Sequence, residues 1–225
     1  MPASLIKDYL QTQGLKLPQD EVQLACAGVR AVMDLGNASI DRSVLWYEHD
    51  GVRLADHVGQ NAEHEVLLKQ IYMALDSVYS RSKNVRSAVV YALMPSANSA
   101  LGLVCLSRQG ELIEHILTVD GDSSRSHLAG RTAQSGWLNL CNDTAYWLEN
   151  GELEGERNQA CGSQISAPVC TRSGAVLGVV HIEFEGGGQA DEAAQIQWTA
   201  LALELSEPLK KLLNIEDNQE DTQDD

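Results

Sequence analysis

His181 and Glu183 stand at alternate positions of the apolar run "GAVLGVVHIEF", where a buried strand would carry valine or isoleucine. Strand alternation puts them on one face with Ala175, Leu177 and Val179, and puts Val176, Gly178, Val180, Ile182 and Phe184 on the other. An imidazole and a carboxylate side by side can hold a polar ligand or pass a proton. The same pair also suits a solvated strand end, and both readings stay open. A second group lies in the polar stretch 120–162, where Trp137, Asp143, Tyr146, Trp147, Arg157 and Asn158 gather in a chain that is only 5% aromatic. Tryptophan and tyrosine can line an apolar pocket while offering a polar handle, and Arg157 could hold a carboxylate or phosphate. Alternatively, these aromatics seal a closed core. Cys161 ends the stretch. It offers a thiol, although Cys105, Cys141 and Cys170 read as small buried hydrophobes. No CxxC or HExxH spacing marks a metal site, and no cofactor is specified.

Those residues need elements to position them. "SLIKDYLQTQ" predicts a short helix stopped by Gly14 and Pro18. "DEVQLACAGVRAVMDLG" predicts a second, with Val22, Cys26, Val29 and Val32 or Met33 on one stripe and Gly36 as its stop. "SVLWYEHDGVRLADHV" is ambiguous, its HDG being a candidate hairpin turn. A strong helix is expected over about 61–82, with Leu67, Ile71, Ala74, Leu75 and Val78 inward. A meander follows: "RSAVVYALMP" ended by Pro95, then "SALGLVCLS" after the turn "PSANS", then "ELIEHILTV" after the turn "RQG". Beyond it, a short helix is expected over Ser126 to Gln134, ended at Ser135 and Gly136, and "WLNLC" is a short strand. "NDTAYWLENGELEGERNQACG" reads as loops and helical turns. A long irregular segment between strands is often functional. "SQISAPVCTRSGAVLGVVHIEF" reads as two strands and a tight turn. A helix at about 190–213 closes the fold, capped by Ala190 or Asp191 and bent at Pro208. It has two apolar stripes: Ala193, Ile196, Ala200 and Leu203; and Trp198, Leu201, Leu205, Leu209 and Leu212. One should cover the sheet. The other needs the helix at 61–82 or a second subunit.

Sixteen Lys+Arg against 32 Asp+Glu give a net charge of −16, which repels nucleic-acid phosphates and anionic membrane surfaces. No segment reads as a membrane span or a secretory signal, and the scattered, odd-numbered cysteines suit a reducing compartment, so a cytoplasmic location is expected. The tail "EDNQEDTQDD" is expected to be disordered.

The order of elements, with Ser166-Ala167-Pro168-Val169 followed by the Gly174–Gly178 turn-strand, resembles the GAF domain. So does "SHLAGRTAQSGWLNLCND", in which Gly130, Gly136 and Asp143 fill the family's places, and so does the closing helix. The resemblance covers about 61–213, leaving 1–60 as a mostly helical N-terminal extension and 214–225 as an acidic tail. It implies an α+β fold with a six-stranded antiparallel sheet, helices packed on one face, and a lid segment over a small-molecule pocket on the other. It places Trp137, Asp143, Tyr146, Trp147, Arg157, Ser166, His181 and Glu183 about that pocket. It also implies a regulatory role, as a sensor or adaptor binding a small ligand or a protein partner, with a homodimer formed through the terminal helices.

Within the family, the free methionine-(R)-sulfoxide reductases carry "GVLDIDS" where this chain has "GVVHIEF", so His181 and Glu183 occupy the places of two substrate-holding aspartates. One of the reductases' cysteine positions is Ala129 here, and Cys161 lies near the place of the nucleophile in an altered context. The alternatives carried forward are therefore a divergent reductase using Cys161 and a ligand-free dimerisation scaffold. The cyclic-nucleotide NKFDE set and the bilin-binding cysteine contexts are absent, and His127 or His181 remains an isolated candidate for a haem ligand.

Overall fold

Alternating apolar residues between positions 85 and 184 build a six-stranded, wholly antiparallel sheet, and helices cover it. The computed structural model describes residues 1–35, 39–95, 101–121 and 123–215. The stop expected at Gly36, the turn over 96–100, Asp122 and most of the acidic tail lie outside the described residues.

In chain order the helices and strands are α1 (Ala3–Thr12), α2 (Gln19–Asp34), α3 (Arg42–Leu45), β1 (Glu48–His49), β2 (Val52–Arg53), α4 (Ala62–Arg81), β3 (Val85–Pro95), β4 (Leu101–Gly110), β5 (Ile116–Thr118), α5 (Ser123–Ser126), α6 (Leu128–Ser135), β6 (Asn139–Cys141), α7 (Thr144–Glu149), α8 (Glu156–Gln159), β7 (Ser163–Cys170), β8 (Val176–Phe184), α9 (Glu192–Glu204) and α10 (Ser206–Leu212). The main sheet runs β5-β4-β3-β8-β7-β6. The ambiguous HDG segment is a two-stranded hairpin. Asp50 and Gly51 at its tip both have positive φ, as a tight primed turn requires.

Strand alternation sorts the sheet into two faces. Ala88, Val90 and Ala92 of β3, Ile165, Ala167 and Val169 of β7, and Val180, Ile182 and Phe184 of β8 join α4, α9 and α10 in the main core. Val89, Tyr91, Leu103, Cys105 and Val179 face the other way, beneath Ala129 and Ala133 of α6. Leu177 departs from the expected alternation and packs with the helix-side core.

Two expectations need correction. The third meander strand shrinks to Ile116–Thr118, and "RQG" is not a turn but the end of β4, with Gly110 opposite Ser87. A Cβ at Gly110 would lie 2.2 Å from the Arg86 carbonyl oxygen, so glycine permits this close pairing. The chain then leaves the sheet and crosses the lid-side face. Ile113 is buried there and the Tyr91 hydroxyl donates to the Glu114 carbonyl at 2.7 Å. The second correction concerns the closing helix. Its Trp198–Leu212 stripe covers the sheet, while Ile196, Ala200 and Leu203 pack on Ile6, Leu10, Val22 and Cys26 of α1 and α2. Neither a second subunit nor the helix at 61–82 is the partner of that stripe. The helix is interrupted at Leu205, where α9 gives way to α10, one residue after Glu204, whose carbonyl the Pro208 ring cannot serve. Asp191 caps α9, accepting from the Ala194 amide at 2.8 Å.

Candidate functional site

The lid-side face carries a row of polar residues across three strands. Glu183 on β8 pairs in register with Ser87 on β3 and with Gln164 on β7, and His181 pairs with Val89 and Ser166. Ser87, Gln164, Ser166, His181 and Glu183 are all buried, so this is an interior polar patch and not a solvated strand end.

Arg157, from the single turn α8 of the lid, reaches down to this floor. Its Nε donates to Glu183 Oε1 at 2.7 Å and its Nη2 to Glu183 Oε2 at 2.9 Å, a two-pronged guanidinium–carboxylate contact. The Ser87 hydroxyl donates to the same Oε2 at 2.6 Å. Arg157 Nη1 lies 2.9 Å from Glu114 Oε2, but its N–H is not aimed at that oxygen and donates weakly to the Leu112 carbonyl at 3.5 Å. His181 Nε2 stands 3.6 Å from Glu183 Oε1. Burial would raise the pKa of the Glu183 carboxyl. Contact with His181 and with Arg157 overrides burial and holds it down, at about 2. His127 borders the same cavity, and burial pushes its pKa below the usual imidazole value.

Asn158 anchors the same turn, donating to the Ser126 and Glu154 carbonyls and accepting from Gln164 Nε2 at 2.8 Å. With Arg157 in place the space between lid and floor is about 10 Å3, room for about one water-sized sphere. Among the groups around it, His181 Nδ1 and Gln164 Oε1 have no hydrogen-bond partner. Ser166 Oγ, on the same sheet face, has none either.

Of the residues singled out in the sequence, Arg157, His181 and Glu183 come together, with Ser166 beside them. Arg157 is not free for a ligand's carboxylate or phosphate, because the chain's own carboxylates hold it. Four others are placed elsewhere. Trp137 and Tyr146 are 55% and 61% exposed on the lid's outer surface. Asp143 caps α7, accepting from the Tyr146 amide at 3.0 Å. Trp147 packs on Leu128, Cys141 and Leu153, with the Arg131 guanidinium 5.5 Å from its ring centre. Sequence reasoning missed Ser87, Glu114 and Gln164. Ser87 and Gln164 had a visible signal, as polar residues breaking otherwise apolar strands. Glu114 had none, because its place depends on β4 running longer than expected.

All five cysteines are free thiols. Cys161 is buried beside the patch, where Gln164 Nε2 donates to its sulfur at 3.1 Å. Burial, with the Glu183 charge adding to it, pushes its pKa up to about 11, the opposite of what a nucleophilic thiol needs. Among the described residues, no group of three His, Cys, Asp or Glu side chains could hold a metal ion, and no helix is long and apolar enough to cross a membrane.

No protein-family model matches the sequence, and no curated protein is significantly similar to it. Solved structures do match. A GAF sensor protein from Burkholderia vietnamiensis superposes with a TM-score of 0.57 at 14% identity, over 87% of this chain and 97% of that one. The GAF domain of an Acinetobacter phosphoenolpyruvate-protein phosphotransferase gives 0.56 at 16% identity, over 87% and 96%. The fold is that of the GAF domain. A type II free methionine-R-sulfoxide reductase from Thermoplasma acidophilum shares the GAF-like fold, with a TM-score of 0.55 at 13% identity over 67% of this chain and 96% of that one. In GAF terms, the polar patch lies between the sheet and the lid segment. Ala129, where the reductase pattern has a cysteine, belongs to that lid and is buried on its inner side, in α6 against the sheet.

Proposed function

We propose that this protein is a cytoplasmic GAF-type sensor or adaptor that acts in trans, with the lid of residues 120–162 as its responsive element. The observation that carries this reading is the Arg157–Glu183 contact, which latches a single helical turn onto the sheet. The turn follows Gly151 and Gly155, both of positive φ and both with open space where a Cβ would stand. Such glycines let a short segment change its path at little steric cost. A small ligand or a protein partner that releases the latch would change the lid's outer surface, where Trp137 and Tyr146 are already presented. If a second copy joins through the terminal helices, it must use their outer faces, where Leu24 of α2 and Val66 of α4 are exposed.

Hydrogen exchange on the full chain tests the latch. Arg157→Gln should speed amide exchange in 144–162 about tenfold or more while β3 and β8 keep their protection. Unchanged lid protection would remove the basis for this reading and favour the ligand-free scaffold. A divergent reductase using Cys161 draws support only from the shared fold and from the position of that thiol. Turnover of free methionine sulfoxide, lost on Cys161→Ala, would be its signature.

A further inference from the structure

We infer that the space beneath the lid is a binding site for a guanidinium group, and that Arg157 is its tethered occupant. The inference rests on the latched-lid reading above and names the ligand chemistry that would compete with the latch. A guanidinium needs acceptors on several sides of one plane, and the floor supplies them. Both oxygens of Glu183 take the Nε and Nη2 hydrogens, while the Glu114 carboxylate and the Leu112 carbonyl lie about Nη1. Glu183 is set for this by the Ser87 hydroxyl of the neighbouring strand β3, which donates to one of its oxygens at 2.6 Å. The patch therefore has two carboxylates and one permanent cation. With Arg157 withdrawn it would hold two negative charges and no permanent positive one, inside a chain whose net charge is −16. A free cation is then the species that replaces it, and an anion is repelled.

Two further groups favour a planar, many-handed cation over a simple ammonium, the His181 ring accepting at Nδ1 when its proton is on Nε2, towards Glu183. Gln164 Oε1 and His181 Nδ1 line the same cavity, lack any partner, and belong to side chains that are 0% and 5% exposed. Neither is used by Arg157. A free guanidinium compound, not bound by the geometry of the α8 turn, can approach at a different angle and engage them as well.

A tethered group competes at an effective concentration on the order of mM, so removing it should unmask the site. The probe is methylguanidinium chloride at millimolar concentration, set against equal methylammonium chloride and sodium chloride. Arg157→Ala should melt below the wild type, and methylguanidinium alone should raise its melting temperature. Its apparent affinity should be about tenfold or more tighter for Arg157→Ala than for the wild type. The double variant Arg157→Ala, Glu183→Gln should lose that response. In the wild type, methylguanidinium should speed hydrogen exchange in 155–160 by displacing Arg157, and this arm decides the matter if Arg157→Ala does not fold. Equal effects of methylguanidinium and methylammonium would overturn the guanidinium assignment while leaving the latched lid standing. No effect of either, with lid exchange unchanged in Arg157→Ala, would overturn both.

Discussion

Glu183 keeps its charge in a place where burial alone would favour the neutral acid. The folded carboxyl titrates at about 2 against an ordinary 4.5, because the Arg157 guanidinium and the His181 imidazole outweigh desolvation. The stability this supplies is complete above pH 4.5 and is lost as pH falls towards 2. Its ceiling is roughly 3 kcal/mol from the size of the shift. Glu183→Gln should therefore unfold at lower urea than the wild type at pH 7, and its midpoint should change less between pH 5 and about 2.5. Parallel pH profiles for the two proteins would refute the argument. Strand alternation made the shared face of His181 and Glu183 legible in the sequence. Their partner was not legible, because 26 residues separate Arg157 from Glu183 and no periodicity spans that gap. The tryptophans and tyrosine of the lid drew attention by their rarity, yet rarity carries no direction, and two of the three face outward.

At the scale of elements, close backbone approaches hold the sheet and lid in register. A Cβ at Gly178 would sit 2.1 Å from the Tyr91 carbonyl oxygen and 2.7 Å from Leu209 Cδ2, between β3 and α10. Gly178→Ala should cost roughly 3 kcal/mol, as overpacking of a filled core does, measured by urea unfolding. Gly162 ends the lid in the same manner, since a Cβ there would meet the backbone of Gly186 at 2.2 Å. At the start of α9, Asp191→Ala should cost about 1 kcal/mol through loss of its cap on the Ala194 amide. A cost near zero would mean that the α9 start is held by packing alone. Helix spans, caps and the interruption of the closing helix ahead of Pro208 were readable because they depend on residues within a turn or two of each other. The length of β4 was not, because it depends on Gly110 lying against Arg86 on a different strand.

Across the whole molecule, the first two helices share a core with α9. Ile6, Leu10, Val22 and Cys26 bury Ile196, Ala200 and Leu203, and Arg30 of α2 holds the buried Glu204 with both prongs of its guanidinium. Removing residues 1–35 should uncover that stripe and leave Glu204 without its arginine. A loss of roughly 5 kcal/mol or more is expected from the buried apolar side chains alone. The truncated chain should aggregate or unfold without a cooperative transition; a melting temperature equal to that of the full chain would show that α1 and α2 are dispensable. Leu201 is fully buried between helix and sheet, so Leu201→Glu should unfold the chain.

The sequence by itself determined the antiparallel sheet, the helices that cover it, the likeness to GAF domains and the face shared by His181 and Glu183. The likeness rests on resemblance to the family's motifs at 166–178 and 126–143; the rest follows from alternation, helical spacing and turn chemistry, which act over a few residues. Only the tertiary structure decided that Arg157 fills the space beneath the lid, that Glu114 joins it, and that the spare stripe of α9 belongs to α1 and α2. Each of those depends on where distant segments meet. A guanidinium finds its carboxylate, and one apolar stripe its partner, through packing in three dimensions that no local pattern encodes.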